Sequence, residues 1–232
     1  MKTKIVLLIV VGFSVIFIGC QDHRIKQIEG LQTACAEAKK AGNLDEAIAL
    51  TRKIQQLDPN EVGHLDSLAI LYLKTGAFKA AEAVADSGIE LIPSKESLRV
   101  AIACAKQLEH YLKGEEYTYL LLSLGESVSA ELLFDLAWFQ FHSWQYEKCT
   151  ATLNQILSVS NYRYILRRES VISNGEEVMV NIPLFAVCYN MMGACEYKNG
   201  WTGKAITAFE LALEIDPTYT AAAENLQVLL SD

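Results

Sequence analysis

Six cysteines, four histidines and two Glu–Glu doublets are the residues of this 232-residue chain whose chemistry could make a nucleophile, a metal site or an acid–base pair. The histidines His23, His64, His110 and His142 have no i, i+4 partner among themselves and no HExxH order, the spacing that sets two imidazoles on one helix face. Glu115–Glu116 and Glu176–Glu177 read as solvated faces. No GxSxG, phosphate loop or CxxC occurs. Nothing positive argues for an enzyme, and no metal or cofactor is expected. Cys188 and Cys195 lie seven apart on one predicted helix, roughly 10.5 Å in rise and beyond disulfide reach. With Cys35, Cys104 and Cys149 they read as small buried hydrophobes.

Cys20 differs from the other five. Lys2 and Lys4 precede the apolar run Ile5–Ile18, which ends in Gly19–Cys20. Fourteen helical residues rise about 21 Å, too short for a membrane span but suited to a secretory signal peptide over residues 1–19. The ending "FIGC" resembles the lipobox of bacterial lipoproteins, with Phe17 where Leu is usual. That resemblance implies diacylglycerol on Cys20, cleavage before it and attachment to the cell envelope. Gln21, rather than Asp, implies the outer membrane. The alternative is an uncleaved short anchor; either way the remainder is exported and tethered. Residues 20–27 form a short tether, at most about 25 Å if extended.

The elements that carry the remaining candidates follow from one interval. Pro59 and Pro93 lie 34 residues apart, each closing a helical segment with the same small-residue pattern. Counting by 34 gives units 28–61, 62–95, 96–129 and 130–163, then an insertion 164–185, then 186–219 closed by Pro217. Position 8 of each unit holds Cys35, Ala69, Ala103, Ala137 and Gly193, all small where two helices must touch. Position 20 holds Ala47, Ala81, Glu115, Cys149 and Ala205, with Glu115 the exception. Gly42, Gly76 and Gly200 stand where the first helix must end in a left-handed residue.

Gly42–Asn60 and Gly200–Tyr219 resemble second helices of the tetratricopeptide repeat, and Gly193, Ala205, Phe209, Ala212 and Pro217 match its signature places. The resemblance implies an all-α tetratricopeptide repeat solenoid of about five helix pairs, with residues 220–232 as a capping helix. Within the insertion, Asn174–Gly175 between β-branched runs predicts a β-hairpin or loop projecting from the helices.

In that family certain first-helix positions line a concave groove. Here the resemblance puts Ile70, Leu73, Val100, Leu108, Phe134, Trp138, Phe141, His142, Asn190 and Tyr197 there. The chaperone-binding branch clamps an acidic C-terminus with Lys and Asn; Gln32, Ala36, Asp66 and Ile70 stand instead, so that clamp is missing. An apolar, aromatic groove suits an amphipathic helix or an extended peptide. Phe134, Trp138 and Phe141, spaced four and three apart, share one helix face. Removing residues 1–19 takes away two lysines and no acid, so the formal net charge of −8 becomes −10 and a nucleic-acid partner is not expected. The expectation is a membrane-tethered scaffold that binds a protein or peptide in its groove. Two alternatives stand beside it: a glycan- or cell-wall-associated binder using Trp138, Trp144 and Trp201, and a structural homo-oligomer.

Overall fold

Small side chains at helix crossings and left-handed residues at helix ends divide this chain into short antiparallel helices. The computed structural model describes residues 23–173 and 176–231, and among these it holds eleven α-helices, one short 3-10 helix and one β-hairpin. The all-α expectation with a hairpin insertion holds. The signal peptide, Cys20 and Gln21 lie outside the described residues. The chain divides at Leu108 into two compact units.

The first unit contains α1 (23–40), α2 (Leu44–Leu57), α3 (Val62–Lys74), α4 (Phe78–Leu91) and α5 (Lys95–Leu108). The segment read as a tether is already helical from residue 23. Asn43 caps α2 by accepting the Glu46 N–H, while its own amide donates to the Glu46 carboxylate at 2.8 Å. Gly42 and Gly76 have φ of +75° and +74°, which lets the chain reverse between paired helices. The N–H groups of Asn43 and Ala77 then bond back to Ala38 and Tyr72, satisfying carbonyls the helix end would leave orphaned. Ala47, Ala69 and Ala81 are fully buried. Ser94 opens α5 by accepting the Ser97 N–H and donates to Asp66 of α3 at 2.9 Å, fastening α5 to the preceding pair.

The second unit runs α6 (Tyr111–Ser123), α7 (Ala130–His142), α8 (Tyr146–Ser158), the 3-10 turn Ser160–Tyr164, β1 (Leu166–Ser173), β2 (Glu176–Pro183), α9 (Leu184–Lys198), α10 (Thr202–Ile215) and α11 (Thr220–Ser231). Gly193 of α9 meets Phe209 of α10 so closely that an added Cβ would stand 2.6 Å from the ring. α11 packs on α10 through Leu229, which clusters with Ala205 and Phe209.

Two details differ from the 34-residue count. The second repeat runs one residue short and the third one long: α5 begins at Lys95 rather than Glu96 and α6 at Tyr111, while α7 returns to the count at Ala130. The small residue of α6 is therefore Gly114, not Glu115. A Cβ on Gly114 would stand 2.2 Å from the buried Phe139 ring, so the apparent exception at position 20 disappears. In α5 the same slip turns the helix by about 100°. Position 4 passes from Arg99 to the buried Leu98, and position 8 from Ala103 to the buried Ile102, which is not small.

The insertion is an antiparallel hairpin from Leu166 paired with Pro183 to Ser173 paired with Glu176, leaving Asn174 and Gly175, outside the described residues, between the strands. Its base does not project free of the helices. Ile182 lies in the core of the second unit with Leu153 and Cys188, and the Arg167 guanidinium sits 3.8 Å over the Phe134 ring.

Candidate functional site

The turn after α7 differs from its counterparts. Trp144 occupies the place that Gly42, Gly76 and Gly200 hold in other pairs, with φ +62° and the same hydrogen bonds: its N–H to Phe141 and the Gln145 N–H to Gln140. A non-glycine residue here costs on the order of 1–2 kcal/mol. Glu109, at the end of α5, has φ +58°, and among the described residues these two alone are non-glycine with positive φ. Both line one cleft of the second unit, about 500 Å³, together with His110, Tyr111, Leu112, Lys113, His142 and Ser143.

Rings build its floor. Tyr111 at the start of α6 stacks on His142 at the end of α7, with centroids 4.9 Å apart and planes 21° apart. Trp138, one turn back along α7, touches both, at 5.4 Å from Tyr111 and 4.2 Å from His142. Burial lowers the His142 pKa below its ordinary value, against a weaker upward pull from Glu109, so a neutral imidazole is favoured in the stack. Burial first, and then the Glu109 carboxylate beside it, raise the Tyr111 pKa above its ordinary value. Above this floor Leu112 and Trp144 are exposed, Trp144 at 81%. Apolar rings beside a carboxylate and a lysine suit side-chain recognition and hold no nucleophile–base pair. Among the described residues no group of His, Cys, Asp and Glu could hold a metal ion.

Residues 186–219, comprising most of α9 and α10, match the family model for the tetratricopeptide repeat. Solved structures agree over most of the chain. YrrB, described as a tetratricopeptide-repeat protein with an unusual peptide-binding site, superposes with TM-score 0.64 at 12% identity, covering 82% of this chain and 87% of that one. A MamA protein gives 0.63 at 16% identity, covering 84% and 94%. MamA from Desulfovibrio magneticus gives 0.60 at 12% identity, covering 83% and 97%. The chain has the tetratricopeptide-repeat fold. No curated protein matches it by sequence.

The tetratricopeptide groove positions do not form one open surface. Ile70 and Leu73 are half-buried in the first unit. Val100 is buried there, a correction that follows from the one-residue slip of α5, and Leu108 is half-buried. Phe134 is buried beneath Arg167 and is core rather than groove. Phe141 packs against the same core and edge-on to Tyr146 at 5.7 Å. Asn190 donates to the Tyr219 hydroxyl at 3.2 Å and accepts from Asn225 at 2.9 Å, so its amide fastens α11 to α9. Tyr197 is exposed. Of the ten candidates, His142 lines the aromatic cleft and Trp138 supports its floor. Glu109, Tyr111 and Leu112 were not among the candidates, and Trp144 entered only in the glycan alternative, although it stands where the repeat count calls for glycine.

In the first unit a smaller cleft of about 240 Å³ is lined by Gln32, Cys35, Ala36, Lys39, His64 and Ser67. Gln32 and Ala36 are two of the places where a carboxylate clamp would stand. Asp66, the third, is engaged by Ser94 and Ser97.

Proposed function

We propose that this tetratricopeptide-repeat protein is an adaptor of the bacterial cell envelope, held to the outer membrane by lipid on Cys20, that binds a partner polypeptide at the aromatic cleft of its second unit. The observation that carries the binding reading is Trp144: an exposed indole in a left-handed turn where the sister turns use glycine, beside the Tyr111–His142 stack. Local strain is retained where something other than stability selects the residue. An exposed aromatic over an apolar floor is the kind of anchor that dominates polypeptide recognition. The similarity to YrrB, whose description names a peptide-binding site, supports the same class of ligand.

Panning a displayed peptide library against wild type and Trp144→Ala tests this. A common motif enriched on wild type and lost on the variant, with melting temperature unchanged, is the expected result. Equal enrichment on both proteins, or none, would remove the cleft from consideration. A glycan ligand is the second reading, favoured by the exposed Trp144 indole lining the cleft with Tyr111 and His142, the two rings that Trp138 touches. Enrichment on an oligosaccharide array, again lost in Trp144→Ala, would replace the peptide with a sugar.

A further inference from the structure

Each strand of the hairpin is paired along one edge only. Among the described residues the sheet consists of β1 and β2, with no third strand beside either. The Leu184 N–H donates to the Ile165 carbonyl at 2.8 Å, one step before the Leu166–Pro183 pair. In an antiparallel ladder, hydrogen-bonded and non-hydrogen-bonded pairs alternate. Arg167 and Glu169 therefore exchange bonds with Ile182 and Val180, while Leu166 and Arg168 turn their N–H and C=O groups to the other edge of β1. Pro183, which has no N–H to give, stands opposite Leu166, where the ladder needs none.

Leu166 and Arg168 also line a cleft of about 640 Å³ between β1 and the start of α7. Its apolar lining includes the exposed Val128, Ile165 and Leu166, and the Tyr162 hydroxyl donates to the Val128 carbonyl at 3.2 Å across it. Its charged groups are Arg167, Arg168 and Glu131. Arg167 is committed to the Phe134 ring and to the Glu169 carboxylate at 3.1 Å, whereas Arg168 is exposed. In a chain of formal charge −8, two arginines against one acid make this a locally positive place. We propose that the open edge of β1 takes a further strand from a partner polypeptide, an extended segment with an apolar and an acidic residue two apart. Main-chain bonds to Leu166 and Arg168 supply the affinity. Residues two apart share one face of a strand, so the apolar side chain meets Leu166 and the carboxylate meets the Arg168 guanidinium. A second copy of this chain fits less well, because pairing β1 with β1 about Arg168 sets two guanidiniums opposite each other. The site shares no lining residue with the aromatic cleft.

The test is selection from a displayed library of extended peptides, threonine alternating with random residues, on the full chain and its variants. Arg168→Pro removes an N–H that faces the open edge and none that serves β2, so its melting temperature should stay near that of wild type. Wild type and Trp144→Ala should both enrich an apolar and an acidic residue two apart, and the selected peptide should bind Arg168→Pro at least about tenfold more weakly. Bound to wild type, that peptide should slow amide exchange at Leu166 and Arg168 while leaving Arg167, already bonded to β2, unchanged. Arg168→Gln keeps the N–H and removes the charge; it should weaken the peptide about threefold and erase its preference over the version with an amide in place of the acid. Should Arg168→Pro melt early, the exchange pattern and Arg168→Gln decide alone. Equal enrichment on wild type and Arg168→Pro, no such motif, or protection confined to other amides would overturn the strand site. A motif lost in Trp144→Ala but kept in Arg168→Pro belongs to the aromatic cleft, which overturns this proposal and leaves that one standing. Self-association abolished by Arg168→Pro would make a second copy the occupant and overturn the partner.

Discussion

Gly114 and Trp144 bracket what a single residue does in this molecule. Gly114 leaves a gap that Phe139 fills, and the ring has nowhere to retreat because it is itself fully buried. Gly114→Ala should therefore lower stability by about 1–3 kcal/mol, read as a fall in melting temperature or denaturant midpoint. Gly203→Ala is the control. No atom lies within 4 Å of its added Cβ, and in an α-helix alanine should gain up to about 1 kcal/mol over glycine. Equal losses at both sites would contradict the packing described. His142 supplies a pH signature. Its folded pKa is lowered, first by burial, so as pH falls the unfolded chain takes up this proton before the folded chain does. The His142 contribution is complete above its ordinary pKa of about 6.5 and is lost as pH falls through that value and the lower folded one. Melting temperatures between neutral and mildly acidic pH should show this slope, and His142→Phe should flatten it. NMR titration of the imidazole should place its midpoint below the ordinary value; a midpoint above it would refute the buried stack.

The hairpin shows what can be read at the scale of the element. Asn174–Gly175 between β-branched runs predicted two strands, and two antiparallel strands are present. Their projection away from the helices was the misleading part. Residue patterning announces a turn, but only tertiary packing reveals that Ile182 enters the core and that Arg167 lies over Phe134. Replacing 171–178 with a two-residue turn should therefore change little. Replacing all of 166–183 with a Gly/Ser linker should uncover Phe134 and markedly lower the melting temperature. Arg167→Ala alone should cost about 0.5–2 kcal/mol, the range for a cation over a ring. Full tolerance of the long replacement would show that the hairpin base contributes nothing to the core. The helix pairs were legible because position 8 and the turn glycines report backbone approach, which few residue types allow. The third pair was harder, since a residue lost before α5 and regained before α7 leaves no mark except an awkward Arg99 and Glu115. The cleft was obscured for a related reason: a groove assigned by repeat position misses side chains at helix ends, where Tyr111 and Trp144 stand.

At the scale of the whole molecule the question is what could hold this chain at a membrane. No helix among the described residues is long and apolar enough to cross one. Electrostatics cannot do it either, because a body of formal charge −10 after removal of residues 1–19 is repelled by anionic headgroups. In the lipoprotein reading proposed above, acyl chains on Cys20 would supply the affinity. A diacylglyceryl group meets the two-chain requirement for stable anchoring, since one chain alone holds only marginally. Residues are helical from 23 onward, so Cys20 lies only three residues from the first unit, a reach of about 10 Å. The repeats would then lie close against the lipid surface. The expected outcome is that washing membranes with 1 M salt, where the Debye length falls to about 3 Å, leaves the protein in the pellet while detergent releases it. Cys20→Ser should move it to the soluble fraction or leave an unprocessed precursor, and intact-mass measurement of the wild type should show a chain beginning at a lipid-modified Cys20. Release of the wild type by salt alone would mean that a partner protein, rather than lipid, keeps it at the envelope.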